Sequence, residues 1–274
     1  MIQYDGHVHS LYCPHGSTDT FSQYCEKAIR LGLKGLTFAE HAPLPKGFID
    51  PTPTKDSAMD TQHLSSYIED VQAIKKDYKN HLDVRVGLEV DFIEGYETET
   101  TDFLNEYGPL LDDSILSVHF LKIDNAYYCL DYCPDTFAHC AQLVGSVDDL
   151  YHRYYQVVAR SINANLGFFK PTRIGHLTLC HKFKKKYPAS ISYGEEIHTL
   201  LDLIKDKNYS IDYNGAGTLK PLCGQTYPPQ DIAALARRLK IPLIYGSDAH
   251  QVKAMNAGVD SIIDTSYLTT PSKY

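Results

Sequence analysis

The sequence predicts an α/β fold: a single domain over residues 1–274, built as a distorted (β/α)7 barrel related to the eight-stranded TIM form. Three observations predict it. Short β-rich apolar runs alternate with longer amphipathic stretches along the whole chain. The length gives one large domain an ample core. Residues able to bind metal or move protons fall at or just after the C-terminal ends of the apolar runs, and they converge on one point only if the sheet closes.

The strand-like runs are 2–7, 35–39, 84–90, 115–120, 173–176, 209–213 and 242–245. Between them lie helical patterns with one apolar face. Residues 21–31 carry Tyr24, Ala28 and Leu31 on one stripe, and 64–78 carry Leu64, Ile68, Val71 and Ile74. Residues 150–166 and 197–204 repeat the pattern, and 232–239 follows a Pro-Pro start. Two stretches read as loop insertions that wall or cover a site: 43–55, with Pro at 43, 45, 51 and 53, and 122–134, rich in Tyr, Asp and Cys.

Composition narrows the function classes. The net charge of -8, with no long basic tract, argues against nucleic acid as a partner. An anionic substrate stays open, because bound cations would invert the local field. No window approaches the roughly 20 apolar residues of a membrane span. The seven cysteines and an N-terminus without an apolar leader read as reduced thiols in a cytoplasmic protein. A homo-oligomer is left open. Thirteen histidines are unusual, and histidine is the commonest metal ligand.

Those histidines are not scattered. His7 and His9 alternate in Asp5-Gly6-His7-Val8-His9, so both rings can face one way. His15 follows in a Cys-Pro-His-Gly turn, and His41 ends the second run. Glu89 and Asp91 end the third, where a buried carboxylate needs a partner or a metal. His119, His176, Asn214, Asp248 and His250 end the later ones. Each histidine taken singly is more often a core or surface residue, and that reading stands for His63, His81, His139, His152 and His198. The joint pattern points to a site for two or three divalent transition metals, zinc, iron or manganese. Cys129, Cys133 and Cys140 lack the spacing of a zinc ribbon, and the basic run 182–186 reads as a solvated loop. Phosphate-loop, dinucleotide and serine-hydrolase motifs are missing.

The motifs DGHVH, AEH, GLEVD, SVHF, IGH and GSDAH, in this order from residue 5 to residue 250, resemble the polymerase-and-histidinol-phosphatase (PHP) superfamily. The resemblance implies a metal-dependent phosphomonoesterase acting on L-histidinol phosphate in histidine biosynthesis, with another small phosphate ester or a nucleotide as the alternative. It implies that His7, His9, Glu89 and Asp248 hold a first ion, that Glu89, His119 and His176 hold a second, and that His15, His41 and His250 hold a third. A water or hydroxide between the first two would attack phosphorus. Asp248 and His250 are the candidates for protonating the leaving group. Arg160, in an otherwise apolar helical run, is expected to bind phosphate. Asp91 is expected to meet the amine or imidazole, and Lys122, Arg173 and His181 are further candidate substrate contacts.

Overall fold

Seven parallel strands follow one another in chain order around a single sheet in the computed structural model, which describes residues 2–262 and 264–272. They are β1 (Tyr4–Val8), β2 (Gly35–His41), β3 (Asp83–Asp91), β4 (Asp113–Ser117), β7 (Arg173–Ile174), β8 (Ser210–Asn214) and β9 (Leu243–Gly246); a separate antiparallel hairpin, β5 (Phe120–Ile123) and β6 (Ala126–Cys129), follows β4. Helices α1 (Phe21–Arg30), α2 (Leu64–Tyr78) and α3 (Glu97–Tyr107) connect the first four strands. Helices α4 (Pro134–Val144) and α5 (Val147–Asn163) precede β7, and α6 (Gly194–Asp206) and α7 (Gln230–Arg238) serve the last two crossovers. The first and last strands meet through the segment after β9. Asp248 N donates to His7 O (2.7 Å), His9 N donates to Ala249 O (3.0 Å), and Val8 pairs in parallel with Ala249. That closure makes the predicted barrel, and it is made at the end of the strands where the histidines lie.

Local chemistry accounts for the elements. Thr20 caps α1 in a reciprocal box with Gln23, and Ser146 caps α5 by accepting from Asp149 N, which starts that helix three residues before its apolar stripe. The strands are buried along nearly their whole length, as parallel strands covered by helices must be. Two helices and the hairpin depart from expectation. Helix α3 buries only Thr100 and Leu104, too sparse a stripe to show a period. The stretch 122–134, expected as a loop, holds most of the β5–β6 hairpin and the start of α4, whose cap is the Cys133 thiol with Pro134 in the first turn. Residues 43–55 contain no helix or strand, as expected.

Below the histidines the barrel interior is polar. Arg173 is 2% exposed; its Nη2 donates to Asp113 Oδ2 (2.6 Å) and Gly6 O (2.8 Å), and its Nη1 lies 3.6 Å from Asp212 Oδ1. A Cβ on Gly6 would stand 2.3 Å from Arg173 Nη1, so the glycine of the first motif makes room for the guanidinium. The β1–β2 register slips between Asp5 and Val8, a bulge next to the site. Among the described residues no helix is long and apolar enough to cross a membrane.

Candidate metal centre

The ends of β2 and β3 and the segments after β4, β7 and β9 bring His41, Glu89, His119, His176, Asp248 and His250 to a cavity of about 560 Å³ at the C-terminal face of the barrel. Glu89, on β3, stands at its base. Its Oε1 accepts from Ser117 Oγ (2.7 Å) and is 2.8 Å from His176 Nε2. Its Oε2 is 3.1 Å from His41 Nδ1, 3.4 Å from His7 Nε2 and 3.8 Å from His9 Nε2, and His119 Nε2 lies 3.8 Å from Oε1. Asp248 Oδ1 faces the same histidines, 3.1 Å from His9 Nε2 and 3.9 Å from His7 Nε2. Asp248 holds a left-handed backbone (φ 52°), a sparsely populated conformation for a residue with a Cβ. The backbone bond to His7 and a hydrogen bond from Asn214 Nδ2 to Asp248 Oδ2 (3.1 Å) keep it there.

Three histidines are oriented by carboxylates from behind. His7 Nδ1 is 2.9 Å from Asp212 Oδ2, His9 Nδ1 is 3.1 Å from Glu40 Oε1, and His119 Nδ1 is 2.8 Å from Asp91 Oδ1. Such a partner puts the proton on Nδ1 and leaves the Nε2 lone pair pointing inward. Glu40 is itself tied by Ser10 N (2.8 Å) and Ser10 Oγ (2.6 Å). Burial disfavours charge on His9, His119, Glu89 and Asp248, yet mutual attraction outweighs it. His9 is pushed up to about 9 by Asp248 and Glu40, and His119 to about 10 by Asp91 and Glu89. Glu89 is held well below the usual carboxylate range, chiefly by His7 and His119. Asp248 is held low by His7 and His9, against its own burial. Burial and the cationic His9 push His250 well below the ordinary imidazole range.

A divalent cation fits these residues. Nε2 of His7 and of His9 and Nδ1 of His41 and of His176 are buried without a hydrogen-bond partner, a costly arrangement for polar atoms unless something accepts their lone pairs. Their donor atoms cluster within 4.8 Å of one another in three groups: His7, His9 and Glu89; Glu89, His119 and His176; and His9, Cys13, His41 and His250. His15 sits on the exposed rim with Nε2 3.2 Å from His250 Nε2 and Nδ1 2.8 Å from Asp56 O. All nine expected ligand residues are thus drawn to one place. Cys13 joins them, which the sequence reading left as a turn residue.

The expected substrate contacts fare differently. Arg160 does not reach the cavity. It lines a second cleft with Glu94, Lys122 and Arg153, ion-paired to Glu94 and with its side chain 56% exposed, because its position on α5 faces outward from the barrel mouth. Lys122 lines that same cleft, its Nζ 5.5 Å from the Tyr127 ring centroid. Arg173 is spent inside the barrel on Asp113 and Gly6. His181 has both nitrogens occupied, Nε2 by Tyr155 OH (2.9 Å) and Nδ1 by Gln225 Nε2 (3.0 Å), and burial pushes it down to about 4. Asp91 does line the cavity, but its Oδ1 is taken by His119. Two lysines line the cavity, Lys182 and Lys220; Lys182 comes from the run read as a solvated loop, and its Nζ is 2.8 Å from Asp131 Oδ2. Asp212 and Glu40 were missed as orienting residues. Asp212 had a legible signal, an acid inside a β-rich run two residues before Asn214.

A barrel that gathers carboxylate-oriented histidines around a shared glutamate at its C-terminal face is the frame of a multi-ion metalloenzyme. Comparison with known proteins gives the family: the PHP domain model matches residues 5–216, and the chain belongs to the PHP domain family. It is 45% identical to a Bacillus subtilis protein named histidinol-phosphatase, over 96% of this chain and 99% of that one. A Listeria monocytogenes crystal structure, described as a "putative histidinol phosphatase", superposes with a TM-score of 0.90 at 38% identity, covering 94% of this chain and 99% of that one. A Lactococcus lactis histidinol phosphate phosphatase, crystallised with zinc, L-histidinol and phosphate, shares the fold at a TM-score of 0.71 and 19% identity, covering 99% and 97% of the two chains.

Proposed function

We infer that this chain is a metal-dependent phosphomonoesterase that hydrolyses L-histidinol phosphate to L-histidinol and phosphate in histidine biosynthesis. One observation carries the chemistry: buried histidine nitrogens without partners, oriented from behind by Asp212 and Glu40, converge on Glu89 and Asp248. The near full-length likeness to the Bacillus histidinol-phosphatase carries the substrate.

In this reading His7, His9, Glu89 and Asp248 would hold one ion, Glu89, His119 and His176 a second, and His41 and His250 with His15 a third. Divalent ions bound there polarise phosphate oxygens and make hydroxide available near neutral pH. The protein contributes position and charge, which is most of what phosphoryl transfer requires. Asp212, Glu40 and Asp91 fix the tautomers of His7, His9 and His119. Ser117 fixes the Glu89 carboxylate. Lys182, steadied by Asp131, is placed to contact a phosphate oxygen, and the carboxylate of Asp56 on the cavity wall suits an ammonium group. Asp248 and His250 adjoin at 3.5 Å, where they can pass the proton of the attacking water to the departing alkoxide. The seven free cysteines suit a reducing cytoplasm.

A phosphate-ester panel tests the substrate. Phosphate release from L-histidinol phosphate is expected to exceed that from nucleoside monophosphates and sugar phosphates. Much faster cleavage of a nucleoside monophosphate would overturn the assignment.

A further inference from the structure

We propose that Cys13 is a metal ligand, its Sγ forming with His41 and His250 a mixed sulfur–nitrogen donor set at the outer edge of the centre. The proposal rests on the reading of the cavity as a metal centre. Sγ of Cys13 and one ring nitrogen each of His9, His41 and His250 all lie within 4.8 Å of one another. An independent observation points to a ligand there: His41 is buried, and its Nδ1 makes no hydrogen bond even though Glu89 Oε2 is 3.1 Å away. His9 also belongs to the inner donor group with His7 and Glu89, whereas His41 belongs to this outer group alone. That leaves Cys13, His41 and His250 as three donors, with His15 at the rim beside His250.

The thiol reaches this place because the chain after His9 is tightly turned. Ser10 is anchored to Glu40, Cys13 N donates to Ser10 O (3.1 Å), and Gly16 N donates to Cys13 O (3.0 Å). Cys13 is buried, with the backbone N–H of His15 donating to its sulfur and the histidine cluster beside it. Cys129 is the contrast: Cys13 reaches the histidines from the neighbouring cleft, whereas Cys129 lines the cavity itself. Its Sγ donates to Asp131 Oδ1 (3.4 Å), and it joins none of the donor groups. When the sulfur–metal bond forms, the thiol proton leaves to solvent. A thiolate is a soft ligand, so this position selects zinc or cobalt over manganese, unlike the Glu89 positions, whose donors are nitrogen and oxygen alone.

Cobalt(II) reports the bond directly. Metal-free protein is loaded with cobalt(II), and near-ultraviolet absorption is read for wild type, Cys13→Ser and Cys129→Ser, with circular dichroism as the check on folding. A sulfur-to-cobalt charge-transfer band is expected in wild type and in Cys129→Ser and is expected to vanish in Cys13→Ser, which should also hold one ion about tenfold more weakly. X-ray absorption at the zinc edge of unmodified protein needs no variant and should show a sulfur neighbour at about 2.3 Å. Cobalt spectra without the band in wild type, a band that survives in Cys13→Ser, or a zinc shell without sulfur would each overturn the proposal while leaving the centre as a nitrogen–oxygen metal site. Failure to bind cobalt or zinc at all would overturn the metal reading as well.

Discussion

Two clefts on this barrel collect charge, and they are built differently. The cleft beside α5 sets Arg153, Arg160 and Lys122 against Glu94, Glu97 and Asp124, and Glu94 is shared by both arginines, Arg153 at 2.8 Å. Its charges are answered by one another, and the Arg160 end of the network lies in water, where such pairs contribute little. The cavity at the barrel mouth is smaller, yet it holds buried histidine nitrogens that nothing in the protein satisfies, and among the described residues none of the buried partnerless side-chain atoms belongs to the α5 cleft. Charge density alone therefore does not mark the functional cleft. Desolvated, oriented and unanswered polar atoms do.

The contrast can be broken at graded points. The largest effect among positioning residues is expected from Asp212→Asn. It cannot enforce the His7 tautomer, and metal affinity and turnover should fall about 10–100-fold with the fold intact, as read by metal titration and phosphate release. Lys182→Met comes next, lowering kcat/KM for the phosphate ester by about tenfold through loss of one charge-assisted contact, with metal content unchanged. Arg160→Ala should be smallest. Activity should stay within about twofold and unfolding free energy within about 1 kcal/mol, because the Arg160 side chain is largely in water and Glu94 keeps Arg153 as a partner. A large loss of activity in Arg160→Ala beside a silent Lys182→Met would reverse the roles assigned to the two clefts.

The sequence made the barrel legible because its strands are buried on both faces and read as continuous apolar runs, and because the ligands mark their C-terminal ends. The β5–β6 hairpin was hidden by its polar, tyrosine-rich composition, and α3 by its near lack of an apolar stripe. The nine metal-ligand candidates could be found one strand end at a time. The substrate contacts could not, since they depend on which way a helix or loop faces. Arg160 sits in an apolar run but points away from the cavity, whereas Lys182 lies in a lysine-rich stretch whose charge suggests solvent and yet lines it. The same limit explains Arg173 and Asp91, both near the expected place but committed to Asp113 and His119.

Glu89 stands where the two inner donor groups meet, so it tests the account most directly. The measurement is phosphate release from L-histidinol phosphate by wild type and by Glu89→Gln, each assayed for bound metal per chain. Wild type should carry at least two ions and release phosphate. Glu89→Gln should lose metal and slow by about 10³-fold or more, the scale of several kcal/mol of lost charge stabilisation. Turnover at the wild-type rate in Glu89→Gln, or full turnover by wild type stripped of metal, would contradict it.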